Sequence, residues 1–144
     1  MKFVKQWGKE LPRNVWIGAT MEREDYRSRI DMLRDVPAYL RFLSIEPLVG
    51  PAGKLNLDGS GWTIIGGESG PGSRPMKHEW VREVIDQALE QESPAFFKQW
   101  GIKENNPIWQ KGGDKALREQ DPVGKGGSLV DGVAYKMFPA KYEF

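Results

Sequence analysis

Residues 62–75, WTIIGGESGPGSRP, constrain the fold of this chain more than any other segment. A short apolar run ends in two glycines, an acid, a serine and a Gly-Pro-Gly turn, and an arginine follows. Short apolar runs bounded by glycine are typical of buried strands. Glycine lets a backbone approach a ligand closely, and α/β sheets bind ligands beyond the carboxyl ends of their strands. Residues 66–74 are therefore the leading candidate site.

Three further apolar runs have the character of strands, at residues 15–20, 39–45 and 95–98. Helices are predicted between the strands, over about residues 22–35 and about residues 79–91. Strands that alternate with helices indicate parallel βα units. The sequence therefore predicts an α/β fold, either a parallel-stranded partial (β/α) barrel or an open sheet with flanking helices. Because the later strands are continuously apolar, helices are expected on both faces of the sheet.

The chain of 144 residues is long enough for one domain with a sizeable core. The βα pattern predicts a half-barrel domain over residues 1–104. The pattern fades in residues 105–144, which are predicted to form an extended C-terminal tail with a possible short hairpin. Residues 3–8, FVKQWG, match residues 96–101, FFKQWG, at five of six positions. The match predicts one more strand ahead of residue 15, with coincidence as the alternative.

Composition narrows the classes of function. Lysine and arginine number 21 against 20 aspartates and glutamates, so the net charge of +1 does not indicate a nucleic-acid partner. The chain has no cysteine and one histidine, which argues against disulfides, iron–sulfur clusters and Cys- or His-ligated metals. No apolar run is long enough to span a membrane, and no signal-peptide pattern opens the chain. A cytoplasmic protein without a membrane partner and without a bound metal is expected.

Polar side chains follow the predicted strands. Because the carboxyl ends of parallel strands meet at one edge of a sheet, residues far apart in sequence are expected to converge there. Carboxylates with a lysine and an arginine can orient a small ligand that carries amine or hydroxyl groups. The candidate ligand-binding residues are Ser44, Glu46, Gly66, Gly67, Glu68, Ser69, Arg74, Lys98, Gln99 and Trp100.

Several of these residues also have a purely structural interpretation. Glu46 can pair with Lys98 or Arg74 at the rim of the sheet without binding any ligand. Gly66 and Gly67 can serve only a tight turn from strand to helix. Both interpretations stay open at the level of sequence.

The tryptophans and the histidine are divided between core and site. Trp16, Trp62 and Trp80 are expected in the core, whereas Trp100, at a strand end, is expected to form an aromatic wall for the ligand. His78 precedes a predicted helix, where capping or solvent exposure is favoured over catalysis. No P-loop, dinucleotide fingerprint or Gly-x-Ser-x-Gly elbow is present, so no catalytic residue is assigned.

Five segments together resemble a known family. They are residues 14–20 (NVWIGAT), 42–48 (FLSIEPL), 64–76 (IIGGESGPGSRPM), 96–101 (FFKQWG) and 126–132 (GGSLVDG), the last followed by Phe138 and Pro139. In this order they resemble the phage-encoded radical S-adenosylmethionine-like family, whose members are phage proteins of unknown function. The resemblance covers roughly residues 11–139 and implies a partial (β/α) barrel similar to spore photoproduct lyase.

The family's pattern also has a part that this chain lacks. Full-length members carry an N-terminal half with a three-cysteine loop for a [4Fe–4S] cluster, and this sequence resembles their C-terminal half. Without thiolates the chain cannot hold that cluster, so radical chemistry by this chain alone is not expected. The resemblance still implies a ligand-binding wall, with S-adenosylmethionine as a possible ligand and no iron–sulfur cofactor.

Two functions are consistent with the sequence. The first is a non-catalytic partial barrel that binds a small or nucleotide-like molecule at the carboxyl ends of its strands. Because half a barrel leaves unpaired strand edges, self-association through an exposed edge or a second chain would complete it. The alternative is a phage accessory protein that binds and inhibits a host protein, such as a component of a defence system.

Overall fold

A computed structural model describes residues 11–121 and 124–140. Four strands form one sheet: β1 (Trp16–Thr20), β2 (Leu40–Ile45), β3 (Trp62–Gly66) and β4 (Ala95–Gln99). The strands lie in the order β1-β2-β3-β4, and each neighbouring pair is parallel. Within the described residues the sheet is open. The predicted α/β fold with parallel strands is thus confirmed, and the strand predicted at residues 3–8 lies outside the described residues.

Short helices connect and follow the strands. The α-helices are α1 (Ser28–Arg34), α2 (His78–Glu90) and α3 (Lys115–Gln120). Single 3₁₀ turns occupy Glu24–Tyr26, Lys103–Asn105 and Pro107–Trp109.

The helix predicted over residues 22–35 is divided into a 3₁₀ turn and α1. The amide of Glu24 donates to the carbonyl of Pro51 at 2.9 Å, and the amide of Val49 donates to the carbonyl of Glu22 at 3.0 Å. These bonds tie the start of the predicted helix to the loop after β2. The second bond occupies the carbonyl of Glu22, which in an α-helix starting here would accept from the amide four residues later.

The helices between the strands pack on one face of the sheet. Strands in sequential order, joined by crossovers of the usual right hand, place all their connecting helices on the same side. The core on that side combines residues of α1, α2 and three strands: Ile30, Val81, Val84, Ile85, Ala88, Leu43, Ile45, Ile65, Ala95 and Phe97. Within the described residues, the expectation of helices on both faces is therefore wrong.

The opposite face, called the inner face below, carries aromatic side chains. Gly18 is aligned with Phe42, and Phe42 with Trp62, across three adjacent strands. The ring centroid of Trp62 lies 6.4, 6.3 and 5.8 Å from those of Trp16, Phe42 and Phe96. Because these rings pack against one another, the strands are apolar on this face without a layer of helices.

The C-terminal residues pack against the sheet. Val130 and Val133 exchange both backbone hydrogen bonds, and Asp131 and Gly132 between them have φ angles of 52° and 79°. Positive φ at both central residues is the signature of a type I′ hairpin turn, which Asp-Gly sequences favour. Val130 itself is fully buried in the core. The segment predicted as an extended tail thus contains α3, a tight hairpin and a core residue.

Residues 133–138, called the strap below, run along β4 on the side away from β3. The amide of Phe97 donates to the carbonyl of Tyr135 at 2.8 Å, and the amide of Met137 donates to the carbonyl of Ala95 at 3.1 Å. The exposed edge predicted for self-association is therefore covered at β4 by the chain's own strap.

The strap ends on the inner face. The ring of Phe138 lies 5.6 Å from that of Trp62 and 5.2 Å from that of Phe96. Among the described residues, no helix has the length and apolar character needed to cross a membrane.

Candidate functional site

The carboxyl ends of β2 and β4 bring together three of the predicted site residues. Nζ of Lys98 donates to Oε1 of Glu46 at 2.9 Å, and Nε2 of Gln99 lies 3.5 Å from the same oxygen. Neighbours in a regular strand point to opposite faces. Here the register shifts between Ile65 and Gly66, so that Gly66 pairs with Gln99 and skips Lys98. This irregularity lets two consecutive side chains of β4 reach one carboxylate.

Gly66 makes room for the Glu46 side chain. A Cβ at position 66 would lie 3.0 Å from Oε1 and 3.1 Å from Cδ of Glu46. The carboxylate therefore rests against the backbone of β3. Ser44 precedes Glu46 by two residues, lies on the inner face and is aligned with Ile64 in β3. The structural interpretation of Glu46 as a partner of Lys98 is realised in this geometry, and 24% of the Glu46 side chain remains exposed.

Gln99 carries an unusual buried acceptor. The residue is 4% exposed, and its Nε2 donates to the carbonyl of Gly67 at 2.9 Å. Its Oε1 is buried and has no hydrogen-bond partner among the described residues. A buried polar atom without a partner costs about 1–3 kcal/mol, and nearly all such atoms in folded proteins are satisfied. This oxygen therefore marks a position where a donor is missing.

Glu68 and Arg74 form a separate pair that closes the loop after β3. Oε2 of Glu68 accepts from the backbone amide and from Nε of Arg74 at 2.8 and 2.9 Å, and Oε1 accepts from the guanidinium at 2.9 Å. The hydrogen bonds from the Arg74 side chain, and then from its amide, lower the pKa of Glu68 to about 2. Hydrogen bonding to Glu68 likewise raises the pKa of Arg74. Ser69 lies exposed within this closed loop.

Trp100 lies in the core, away from any surface that a ligand reaches. It is fully buried, its indole Nε1 donates to the carbonyl of Leu129 at 2.9 Å, and its ring packs 5.0 Å from that of Phe97. Of the tryptophans that were expected in the core, Trp80 is partly buried and packs against the core, whereas Trp16 and Trp62 pack on the inner face and are partly exposed. Burial of Trp100 depends on backbone from residues 127–129, which no local pattern reveals.

The sequence analysis missed a second charged cluster, which surrounds Asp131. Nε2 of His78 and Oδ1 of Asp131 lie 2.7 Å apart, and Nε of Arg82 lies 3.5 Å from Oδ2 of Asp131. NH1 of Arg82 also donates to the hydroxyl of Tyr135 at 2.9 Å. The Asp-Gly turn was visible in the sequence, but its partners on α2 were not. The cluster ties the beginning of α2 to the hairpin before the strap.

The ten predicted residues thus fall into separate groups. Glu46, Lys98 and Gln99 meet, and Gly66 and Gly67 lie against them; Glu68 and Arg74 bind each other instead. No group of three or more histidine, aspartate or glutamate side chains within residues 11–121 and 124–140 is placed to hold a metal ion.

Comparison with known proteins gives a family but no activity. A family model described as "Protein of unknown function (DUF5131)" matches residues 1–139. Neither a curated protein nor a solved structure matches the chain.

Proposed function

Because the chain belongs to the DUF5131 family, whose description names no activity, we propose from its geometry that it binds a small polar molecule without catalysis. The site is the group Glu46, Gly66, Gly67, Lys98 and Gln99 at the carboxyl ends of β2, β3 and β4. The observation that carries this proposal is the buried Oε1 of Gln99, which has no donor among the described residues. The oxygen is enclosed by the protein, so a ligand N–H or O–H group would reach it only after a neighbouring side chain moves, and would then supply the missing hydrogen bond.

The surroundings of Gln99 support this location. Glu46 and Lys98 are partly open to solvent, with 24% and 52% of their side chains exposed, so a small molecule can approach them. Ile64 and Phe96 lie beside each other on the inner face, next to this polar group, and both are partly exposed. Small-molecule sites combine apolar side chains with a few polar groups that orient the ligand. A nucleoside-like ligand such as S-adenosylmethionine is a candidate, from the resemblance that covers roughly residues 11–139.

Protein-observed NMR with a library of amines, alcohols, amides and nucleosides, including S-adenosylmethionine, tests the proposal. We expect saturable shifts at the amides of Gly66, Gly67 and Gln99. Gln99→Met removes the acceptor and should weaken binding about tenfold, the value of one hydrogen bond of about 1.4 kcal/mol. Gln91→Met is the matched control, because the side chain of Gln91, at the end of α2, also bonds backbone groups, but those of Leu55 and Leu57. Absence of saturable shifts at the three site amides would overturn the proposal.

We propose binding of a host protein through the strap as a second candidate function. Val133, Met137 and Phe138 are 49%, 44% and 64% exposed, and neighbouring exposed apolar side chains often mark protein contacts. Cross-linking from the strap in host lysate should capture a discrete protein that Phe138→Asp loses. Leu89→Asp, at an exposed leucine of α2, is the control and should retain it. Identical capture by both variants would rule the strap out.

A further inference from the structure

We infer that the group recognised beside Gln99 is an uncharged N–H donor, such as a carboxamide or the amino group of a heteroaromatic ring. This inference rests on the proposed function and names the chemical class of its ligand. It follows from two properties of the carboxyl edge of the sheet, meaning the edge where the four strands end. One property is that charged side chains at this edge are paired, and the other is that a buried hydrogen-bond acceptor there has no donor.

Three basic side chains near the carboxyl edge are each bound by an acid, and the ammonium of a fourth, Lys136, donates to the carbonyls of Phe97 and Lys98. NH1 of Arg29 lies 3.1 Å from Oε2 of Glu22 and donates to the carbonyl of Thr20, the last residue of β1. The pairs Arg74–Glu68 and Lys98–Glu46 each have a closest approach of 2.9 Å.

These pairs disfavour a charged group of either sign at this position. A phosphate or carboxylate placed against Lys98 would also face the carboxylate of Glu46, and like charges at contact distance repel. To use Arg74, an anion would have to compete with three hydrogen bonds to Glu68. An ammonium group at Glu46 would meet Lys98 in the same way. The charges of the three pairs therefore cancel, and the Lys136 ammonium is held by two backbone carbonyls.

What remains unsatisfied is an acceptor. Oε1 of Gln99 has no donor, while the same amide's Nε2 already serves Gly67 and approaches Glu46. The hydrogen bonds that Glu46 accepts from Lys98 and Gln99 both go to Oε1. An amide or amino nitrogen carries two N–H donors without a charge, so it can serve Gln99 and a neighbouring acceptor together.

The test uses three aromatic probes of similar shape and different head group: benzamide, benzoate and benzylamine. The full chain is titrated with each, and the amides of Gly66, Gly67 and Gln99 are followed by NMR. We expect saturable shifts with benzamide, and binding at least about tenfold weaker with benzoate and with benzylammonium. Benzamide binding should change little between low and high salt, because no ion pair forms.

Two variants connect the result to the acceptor. Gln99→Met should weaken the benzamide binding followed at Gly66 and Gly67 about tenfold, and the matched Gln91→Met should leave it unchanged. Benzoate or benzylammonium binding as tightly as benzamide at these amides would overturn the inference while the proposed site stands. If neither the three probes nor any member of the wider library gives a saturable shift at these amides, both the inference and the proposed function are overturned.

Discussion

The carbonyl oxygen of Trp100 lies 2.2 Å from the position that a Cβ of residue 67 would occupy. The same crossing recurs one residue later, where a Cβ at Gly101 would lie 2.0 Å from the carbonyl oxygen of Glu68. The segment after β3 and the segment after β4 therefore cross in backbone contact. This crossing holds the loop that Glu68 and Arg74 close against the end of β4, next to Gln99.

Gly67→Ala tests this crossing. The added methyl group has no room against the Trp100 backbone, so we expect the free energy of unfolding to fall by about 1–3 kcal/mol. Gly124→Ala is the control, because nothing lies within 4 Å of a Cβ at that position. Its effect should stay within about 0.5 kcal/mol. Urea unfolding of both variants measures the difference, and equal stability would show that the two segments can separate freely.

Acid should weaken the protein partly through Glu68. Its pKa falls from 4.5 to about 2 on folding, so the unfolded chain binds more protons than the folded one between these values. The stability that Glu68 contributes is present above pH 4.5 and is lost as the pH falls towards 2. In Glu68→Gln, the dependence of unfolding free energy on pH in this window should be shallower than in the wild type.

The control for the acid experiment is Glu90→Gln, at an exposed position on α2. It should keep the wild-type slope between pH 4.5 and 2. Because the Glu68–Arg74 pair lies at the surface, added salt should reduce the slope that Glu68 contributes. A Glu68→Gln protein with an unchanged slope would mean that the pair with Arg74 does not persist in solution.

The ring of Phe42 leaves no space for a side chain at Gly18. A Cβ there would lie 2.3 Å from Cζ of Phe42. Gly18→Ala should therefore destabilise the protein by about 1–2 kcal/mol, because the ring must leave its place beside Trp62. In a Phe42→Leu background the same change should cost about 1 kcal/mol less. Chemical unfolding of the four proteins in this cycle gives the coupling; strict additivity would contradict the packing of the inner face.

The strands were predictable because their signal is local. The run that includes Ile64 and Ile65 ends at two glycines, and the structure ends β3 at the first of them. The site residues converge at the carboxyl edge because the sheet is parallel, which the alternation of strands and helices predicts. Placement of the helices on one face also follows from topology, but only once the strand order is known. The sequence pattern alone does not distinguish an apolar face under helices from one lined by rings such as Trp62 and Phe96.

Other features depend on contacts between distant residues. His78 meets Asp131 across 53 positions, and Trp100 is enclosed by backbone that lies 27 to 29 residues later. The alignment of Gln99 with Gly66 arises from the shift in register between β3 and β4. No period, spacing or composition in the chain reports these relationships, because each needs two parts of the fold to be in place.

The strap occupies the edge of β4, where a further strand would otherwise be added to the sheet. A parallel barrel adds each new strand in the same orientation as the last, whereas Lys136 of the strap bridges Phe96 of β4 in the antiparallel sense. For a second polypeptide to add a strand at β4, residues 135–137 would have to be displaced and their backbone hydrogen bonds to β4 broken. The hydrogen bond from the Lys136 ammonium to the carbonyl of Lys98 would also be lost. On that side, the chain terminates its own sheet.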